Sequence, residues 1–346
     1  YMNLKIFYFS GTGNAERVAT WIDNYAFQNQ ITSEITNISK TEIKDIKIDS
    51  NNLLGFISPT HGFNFPPIMI RFLLNFPKTN KKTNVFIINT RAGMKLAKLF
   101  LPGLSGATLL FSAIILKIKG YRIVGLRSID LPSNWISLHP GLKEKVVISI
   151  HQRCKRITES FAKIIFSGRK NYSALYEIPI DLLLIPISLG YYFIGRFILA
   201  KTFYASSTCD NCMICIEHCP VKAIKLIQKR PFWSYRCESC MKCINNCPKR
   251  SIETAHGYII GAIILFYTTI LFFIYNYLTG DVIEEILANS IIRVIFESIF
   301  LFLFIIISYR IVHYLRRFKL VDWIIINTSL TKYKFWRRYH LPKIKS

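Results

Sequence analysis

The sequence predicts three parts: a doubly wound parallel α/β sheet, a small α+β module framed by cysteines, and a transmembrane helical hairpin. Three observations predict them. The opening "NLKIFYFSGTGNAERVATWIDNYAF" joins a buried-strand run to a glycine turn and an amphipathic helix. The phrase "CDNCMICIEHCPVKAI" returns as "CESCMKCINNCPKRSI", and two long apolar stretches follow it. The domains expected are 2–168 for the sheet, 169–204 for an apolar connection, 205–255 for the cysteine module, 256–310 for two membrane helices and 311–346 for a basic, aromatic tail.

The sheet is read element by element. Asn3 to Ser10 forms the first strand, and the helix from Ala15 places Val18, Ala19, Ile22 and Tyr25 or Ala26 on one face. Between them, Ser10, Gly11, Thr12, Gly13, Asn14 and Ala15 make an anion site. Backbone N–H groups and the positive helix end converge there, with Ser10, Thr12 and Asn14 as side-chain donors. The alternative is an ordinary tight turn. A nucleotide-hydrolysing loop is excluded for lack of G-x-x-x-x-G-K-[ST]. A dinucleotide loop is disfavoured because Glu16 stands at the third glycine position, where its carboxylate would repel a pyrophosphate. A monophosphate fits best.

Further strands are expected at Thr32–Ile38, Leu53–Pro59, Asn84–Asn89 and Tyr121–Ile129, with helices near Pro67–Asn75, Leu101–Lys117 and Leu142–Phe166. Ligands of such sheets lie beyond the strand carboxyl ends, which here carry "PTHGFNFPP" and "TRAGM". Thr60, His61, Gly62 and Phe63 from one loop, and Thr90, Arg91, Ala92 and Gly93 from the other, are the candidates to embrace a flat ring. Phe63 and Phe65 offer aromatic faces, Gly62 and Gly93 permit close backbone approach, and Arg91 or His61 would place a positive charge near a reduced, anionic ring.

Eight of the nine cysteines fall in the repeated phrase, each copy spaced C-x-x-C-x-x-C-x-x-x-C-P, and Cys154 stands apart. Structural zinc ribbons would use paired C-x-x-C knuckles without the trailing C-P. Three thiolates at every third residue wrap one corner of a 4Fe-4S cubane while the fourth points away, so two copies cross over. Cys209, Cys212, Cys215 and Cys247 are assigned to one cluster, and Cys237, Cys240, Cys243 and Cys219 to the other. Phe232, Trp233 and Tyr235 are expected to pack over the clusters and keep water from the sulfurs.

With these motifs in place, the stretch from Met2 to Ile252 resembles the ferredoxin family that fuses a flavodoxin-like domain to a bacterial-type two-cluster ferredoxin. "FYFSGTGNAE", "PTHGFNFPP", "NTRAGM" and both cysteine phrases carry the resemblance. It implies FMN at the first loop, two 4Fe-4S clusters and a role in electron transfer.

The surplus of 45 Lys+Arg over 20 Asp+Glu is read as membrane topology, because no nucleic-acid motif accompanies it and its densest run, Tyr309 to Lys319, follows an apolar stretch. The first residues read as a core strand and show no secretory signal. Gly257 to Leu278 carries no formal charge, and Ile291 to Tyr309 is interrupted only by Arg293 and Glu297. The acidic connection between them and the basic flanks put both ends of the hairpin, and with them the cofactor domains, in the cytoplasm. Glu297 either serves a proton or quinone head group or pairs with Arg293 one turn away. The stretch Ile178 to Ala200, broken by Pro179, Asp181, Pro186 and Arg196, is expected on the membrane surface or as a re-entrant element. The function expected is a membrane-anchored iron-sulfur flavoprotein. The alternatives are a reductase of a lipid-soluble acceptor and a non-enzymatic cluster protein with an empty α/β domain. The partners expected are a redox protein or that acceptor, and the membrane.

Overall fold

The computed structural model describes residues 3–43, 46, 48, 52–277 and 287–342. Strands β1 (Asn3–Tyr8), β2 (Thr32–Asn37), β3 (Asn52–Pro59), β4 (Asn84–Leu96) and β6 (Arg122–Pro132) form a parallel sheet in the order β2-β1-β3-β4-β6. That is the flavodoxin-like doubly wound order. Strand β5 (Leu99–Leu101) turns back antiparallel on the end of β4. Strand β3 is buried along nearly its whole length, as a central strand covered on both faces must be.

Helices α1 (Asn14–Gln28) and α4 (Glu144–Phe166) cover one face of the sheet, burying Leu4, Ile6, Val18, Ile22, Ile150 and Phe161. Helices α2 (Pro67–Asn75) and α3 (Thr108–Ile118) cover the other with Phe7, Phe56, Phe72, Phe76 and Leu116. Each such side chain, fully buried, contributes on the order of 2 kcal/mol.

Two expectations are corrected here. "TRAGM" is not a loop: β4 runs on through Leu96, because β6 pairs with it as far as Gly93↔Pro132. The helix expected from Leu101 begins at Thr108, because Leu99–Leu101 is drawn into the hairpin with β4 and Pro102-Gly103 then breaks the chain.

Contacts divide the chain into two compact units, each assembled from non-contiguous segments. The first contains residues 1–193, 240–246 and 337–346, and so holds the sheet, helix α9 (Lys242–Asn246) and the segment after Trp336. It also carries α5 (Ile178–Leu183) and α6 (Ile185–Gly190). The apolar stretch is bent by 73° between Leu183 and Ile185, where Pro186 cannot continue the preceding helix. Its acidic residues point inward: Glu177 pairs with Arg91, and Asp181 Oδ1 accepts the Gly106 N–H at 2.7 Å. Ile180, Leu183, Leu189 and Phe193 are left exposed.

The second unit contains α7 (Arg196–Ala200), α8 (Ile214–Glu217) and two small antiparallel pairs. β7 (Phe203–Ala205) pairs with β10 (Ile252–Thr254), and β8 (Ile224–Ile227) with β9 (Arg230–Trp233). Helices α10 (His256–Tyr277) and α11 (Ser290–Leu315) follow, both long and apolar enough to cross a membrane. Phe266, Leu271 and Ile274 of α10 pack on Phe296, Phe300 and Phe304 of α11, and the remaining faces expose Ile, Leu and Phe side chains. Glu297 accepts a hydrogen bond from Tyr275 Oη at 3.1 Å across the hairpin. Most of the acidic connection expected between the spans, residues 278–286, lies outside the described residues.

After α11, helix α12 (Lys319–Asn327) returns Asp322 to Arg316 at 2.5 Å and to Arg230 at 3.0 Å. Arg316 is buried and also donates to the Ala205 carbonyl at 2.7 Å. Part of the basic run is therefore internal structure and not a solvated membrane flank.

Candidate functional site

A cavity of about 500 Å³ opens at the carboxyl ends of β1, β3, β4 and β6 in the first unit. That is a volume suited to a cofactor-sized ligand. Its walls include Ser10, Gly11, Thr12, Asn14, Ala15, Thr60, Gly62, Phe63, Thr90, Arg91 and Ala92. Three further candidates do not line it. Gly13 faces away, with Leu341 over its Cα, and Gly93 packs against Asp130. His61 is buried behind the wall, its ring 5.7 Å from that of Trp135. Phe65 belongs to the core and is not an aromatic wall.

The loop after β1 is built for an anion. Gly13 takes φ 97°, a conformation that suits glycine, and its N–H turns back onto Ser10 Oγ at 3.0 Å. Helix α1 then starts at Asn14, so its first N–H groups face the loop. Thr12 Oγ1 accepts from Asn134 Nδ2, which leaves its own hydroxyl hydrogen to donate. Asn14 lines the cavity with one Nδ2 hydrogen left to donate, but most of its side chain is engaged elsewhere. Its Nδ2 donates to the Pro132 carbonyl at 2.9 Å and its Oδ1 accepts from Tyr339 Oη, so its side chain sets the loop's shape.

Arg91 lines the cavity but brings little net charge to it. Its Nε donates to Asp130 Oδ1 at 2.6 Å, its Nη1 to Ser105 Oγ at 2.9 Å and its Nη2 to Glu177 Oε1 at 2.7 Å. Burial works against its charge, yet the Glu177 hydrogen bond and the Asp130 carboxylate outweigh it and hold the guanidinium pKa above its ordinary value. Besides Phe63, the aromatic surface comes from residues no local pattern marked. Trp135, on the loop after β6, and Tyr191, beyond α6, lie 5.4 Å apart at 39° and both line the cavity. The arrangement can hold a phosphate ester at one end and an aromatic ring at the other.

The cysteine phrases repeat in backbone as well as in sequence. Asn211, Met213 and Lys222 take positive φ in the first, and Ser239, Met241 and Arg250, at the same offsets, do so in the second. Non-glycine residues rarely adopt this conformation, so six at matched positions mark one loop design used twice. Burial first, then the nearby Cys209, Cys247 and Cys212, push the Cys215 thiol up to about 11. Those are the four cysteines assigned together from spacing. The Ala223 N–H donates to Cys219 Sγ at 3.2 Å. Among the described residues no three His, Cys, Asp or Glu side chains close around a single-ion site. Cys154 is no ninth ligand: it is buried, donates to the Asp130 carbonyl at 3.3 Å, and burial pushes its thiol up to about 12.

Phe232 and Trp233, between the phrases, each pack on a further aromatic ring. Phe232 packs on Tyr309 at 5.0 Å and Trp233 on Phe203 at 5.9 Å. The buried Lys201 ammonium lies over the rings of Phe232, Tyr235 and Tyr309 at 5.1, 4.5 and 4.8 Å, and donates to the Trp233 carbonyl.

In the first unit, residues 240–246 of the second phrase, α9 among them, lie at the phosphate loop. The Cys240 carbonyl packs directly on Gly11 Cα, leaving no room for a side chain there. Ser137 Oγ donates to Met241 Sδ at 3.3 Å, and Asn245 Nδ2 to the Asn134 carbonyl at 3.2 Å.

No family model and no curated protein matches the sequence. Among solved structures the chain is similar to a flavodoxin from the domain Archaea, at 16% identity over 47% of this chain and 97% of that one, with a TM-score of 0.32. It is similar to the Megasphaera elsdenii flavodoxin at 16% identity over 46% and 98%, TM-score 0.31. A third similarity is to the rubredoxin oxygen:oxidoreductase of Desulfovibrio gigas, at 12% identity over 48% and 36%, TM-score 0.33. The flavodoxin-like architecture of the sheet follows from its own strand order, β2-β1-β3-β4-β6.

Proposed function

We propose that the protein is a membrane-anchored electron carrier that joins two 4Fe-4S clusters to FMN. The observation that carries this reading is the packing of Cys240, a proposed cluster ligand, on Gly11 in the wall of the cavity. Ser10, Thr12 and the first N–H groups of α1 would hold the FMN phosphate, and Trp135, Tyr191 and Phe63 would enclose the ring. FMN, when bound, supplies the conversion between one-electron and two-electron chemistry. Arg91, already paired with two carboxylates, would position β4 and β6 rather than stabilise negative charge on the ring.

Cys209, Cys212, Cys215 and Cys247 would hold one cluster; Cys237, Cys240, Cys243 and Cys219 would hold the other. The repeated positive-φ positions support cluster loops, since that conformation turns successive N–H groups toward the enclosed sulfurs. Helices α10 and α11 would anchor the chain in the bilayer.

Cofactor analysis of anaerobically purified protein tests the proposal. The parent should contain about eight iron atoms and about one FMN per chain. Thr12→Asp, which puts a carboxylate among donors arranged for a phosphate, should lose FMN at least tenfold in affinity and keep its iron. A parent that binds no FMN from excess, or holds no iron, ends the corresponding half of the proposal.

A further inference from the structure

The segment Arg337–Pro342 enters the first unit and touches two elements that sequence separates widely. On the phosphate loop, Leu341 covers Gly13, with its Cδ2 2.9 Å from where a Cβ would stand. Tyr339 Oη donates to Asn14 Oδ1, and Arg17 Nη2 on α1 donates to the Pro342 carbonyl at 3.0 Å. On α9, Arg338 Nη1 donates to the Ile244 carbonyl at 2.6 Å, and Asn245 Oδ1 accepts the Tyr339 N–H at 2.9 Å. Tyr339 and Arg338 are both buried. A five-residue helix such as α9 has almost no intrinsic stability, so its place depends on such contacts.

We propose that Arg337–Pro342 is a clamp that locks the Cys240–Asn246 segment onto the phosphate loop and thereby fixes the approach of the flavin and the cluster that Cys240 and Cys243 would serve. This rests on the electron-carrier reading above. The segment is not a plug, because none of its residues lines the cavity. It braces the loop from the side opposite the ligand space, through Asn14 and Gly13. Tyr339 is the central positioning residue: its backbone holds α9, while its hydroxyl holds the loop and accepts from His151 Nε2 at 3.1 Å.

The test compares the parent, Tyr339→Phe and a chain ending at Trp336, with two readouts. The first is amide hydrogen exchange of residues 10–15 and 240–246 in protein stripped of FMN. The clamp predicts acceleration in both segments: in Tyr339→Phe by about tenfold at 10–15, the order expected for lost buried hydrogen bonds, and also at 240–246, where the Tyr339 N–H bond is kept and the effect travels through the loosened segment. The second is the rate at which flavin absorbance responds after the clusters are reduced, which should fall in both variants while iron and FMN content in Tyr339→Phe match the parent. If the shortened chain does not fold, Tyr339→Phe carries the test alone. Unchanged exchange in Tyr339→Phe overturns the clamp. Acceleration confined to 10–15 overturns the coupling to α9. If the parent shows no flavin response, the electron-carrier reading fails, and the exchange data still decide whether the two elements are locked together.

Discussion

At the scale of single residues, the first unit spends buried polar groups on holding its site together. His151 is fully buried on α4, its ring 6.0 Å edge-to-face from that of Trp21, with Nε2 on Tyr339 Oη and Nδ1 without a hydrogen-bond partner among the described residues. Burial, and then the positive charge of Arg17, push its pKa from 6.5 down to about 4. The unfolded chain takes up this proton near 6.5 and the folded chain only near 4, so stability is kept above pH 6.5 and lost as pH falls through that window. The loss is on the order of 3 kcal/mol at its limit. The protection of the 337–342 amides, measured against their intrinsic exchange rates at each pH, is therefore expected to fall between pH 6.5 and 4 in the parent. In His151→Gln, which offers an amide N–H to the Tyr339 oxygen but does not titrate, that dependence should disappear. An equal acid response in both proteins assigns it to another group.

At the scale of elements, what could be read from sequence was what local periodicity encodes. Helix α2 begins and ends at the residues expected, Pro67 and Asn75, because a Pro start and an apolar 3.6-residue stripe are both local. The misreadings are non-local. "TRAGM" looked like a loop from its glycine and arginine, and pairing with β6 made it strand. From local sequence Asn14 reads as a phosphate donor only, and its bond to Tyr339, 325 residues away, leaves no local trace. Trp135 and Tyr191 gave no signal because an aromatic residue in a loop or an apolar stretch has no period to betray its target. The cysteine phrases are read from spacing alone, and the ligand sets they suggest stay a proposal, with Cys209, Cys212 and Cys247 near Cys215. The crossover itself can be tested. Cys219→Ala should damage the cluster of Cys237, Cys240 and Cys243 and leave that of Cys209, Cys212 and Cys215 nearly intact, as read by EPR of anaerobically reduced protein. Selective loss of the other signal would sink the assignment.

At the scale of the whole chain, charge and apolar length make a prediction about sidedness. If both apolar helices cross a bilayer, the short connection returns the chain to the side it left, and the residues flanking α10 and α11 would share one side. The flanks hold Lys249 and Arg250 before α10 and Arg310, Arg317 and Lys319 at and beyond the end of α11, whereas the connection sequence "TGDVIEEILANS" carries Asp281, Glu284 and Glu285. The buried Arg316–Asp322 pair is neutral overall and removes one arginine from that count. Enough exposed basic charge remains for the prediction that both flanks face the cytoplasm. Ala288→Cys, exposed just ahead of α11 and clear of the Asn289 cap, should react with a membrane-impermeant maleimide in intact cells. Lys334→Cys, exposed on the far side of the hairpin, should react only after the membrane is opened. The parent protein serves as the control for the native thiols. The reverse pattern would move the cavity and all eight phrase cysteines out of the cytoplasm, where exposed 4Fe-4S ligands would meet oxidising conditions that favour disulfides, and the electron-carrier proposal would lose its compartment.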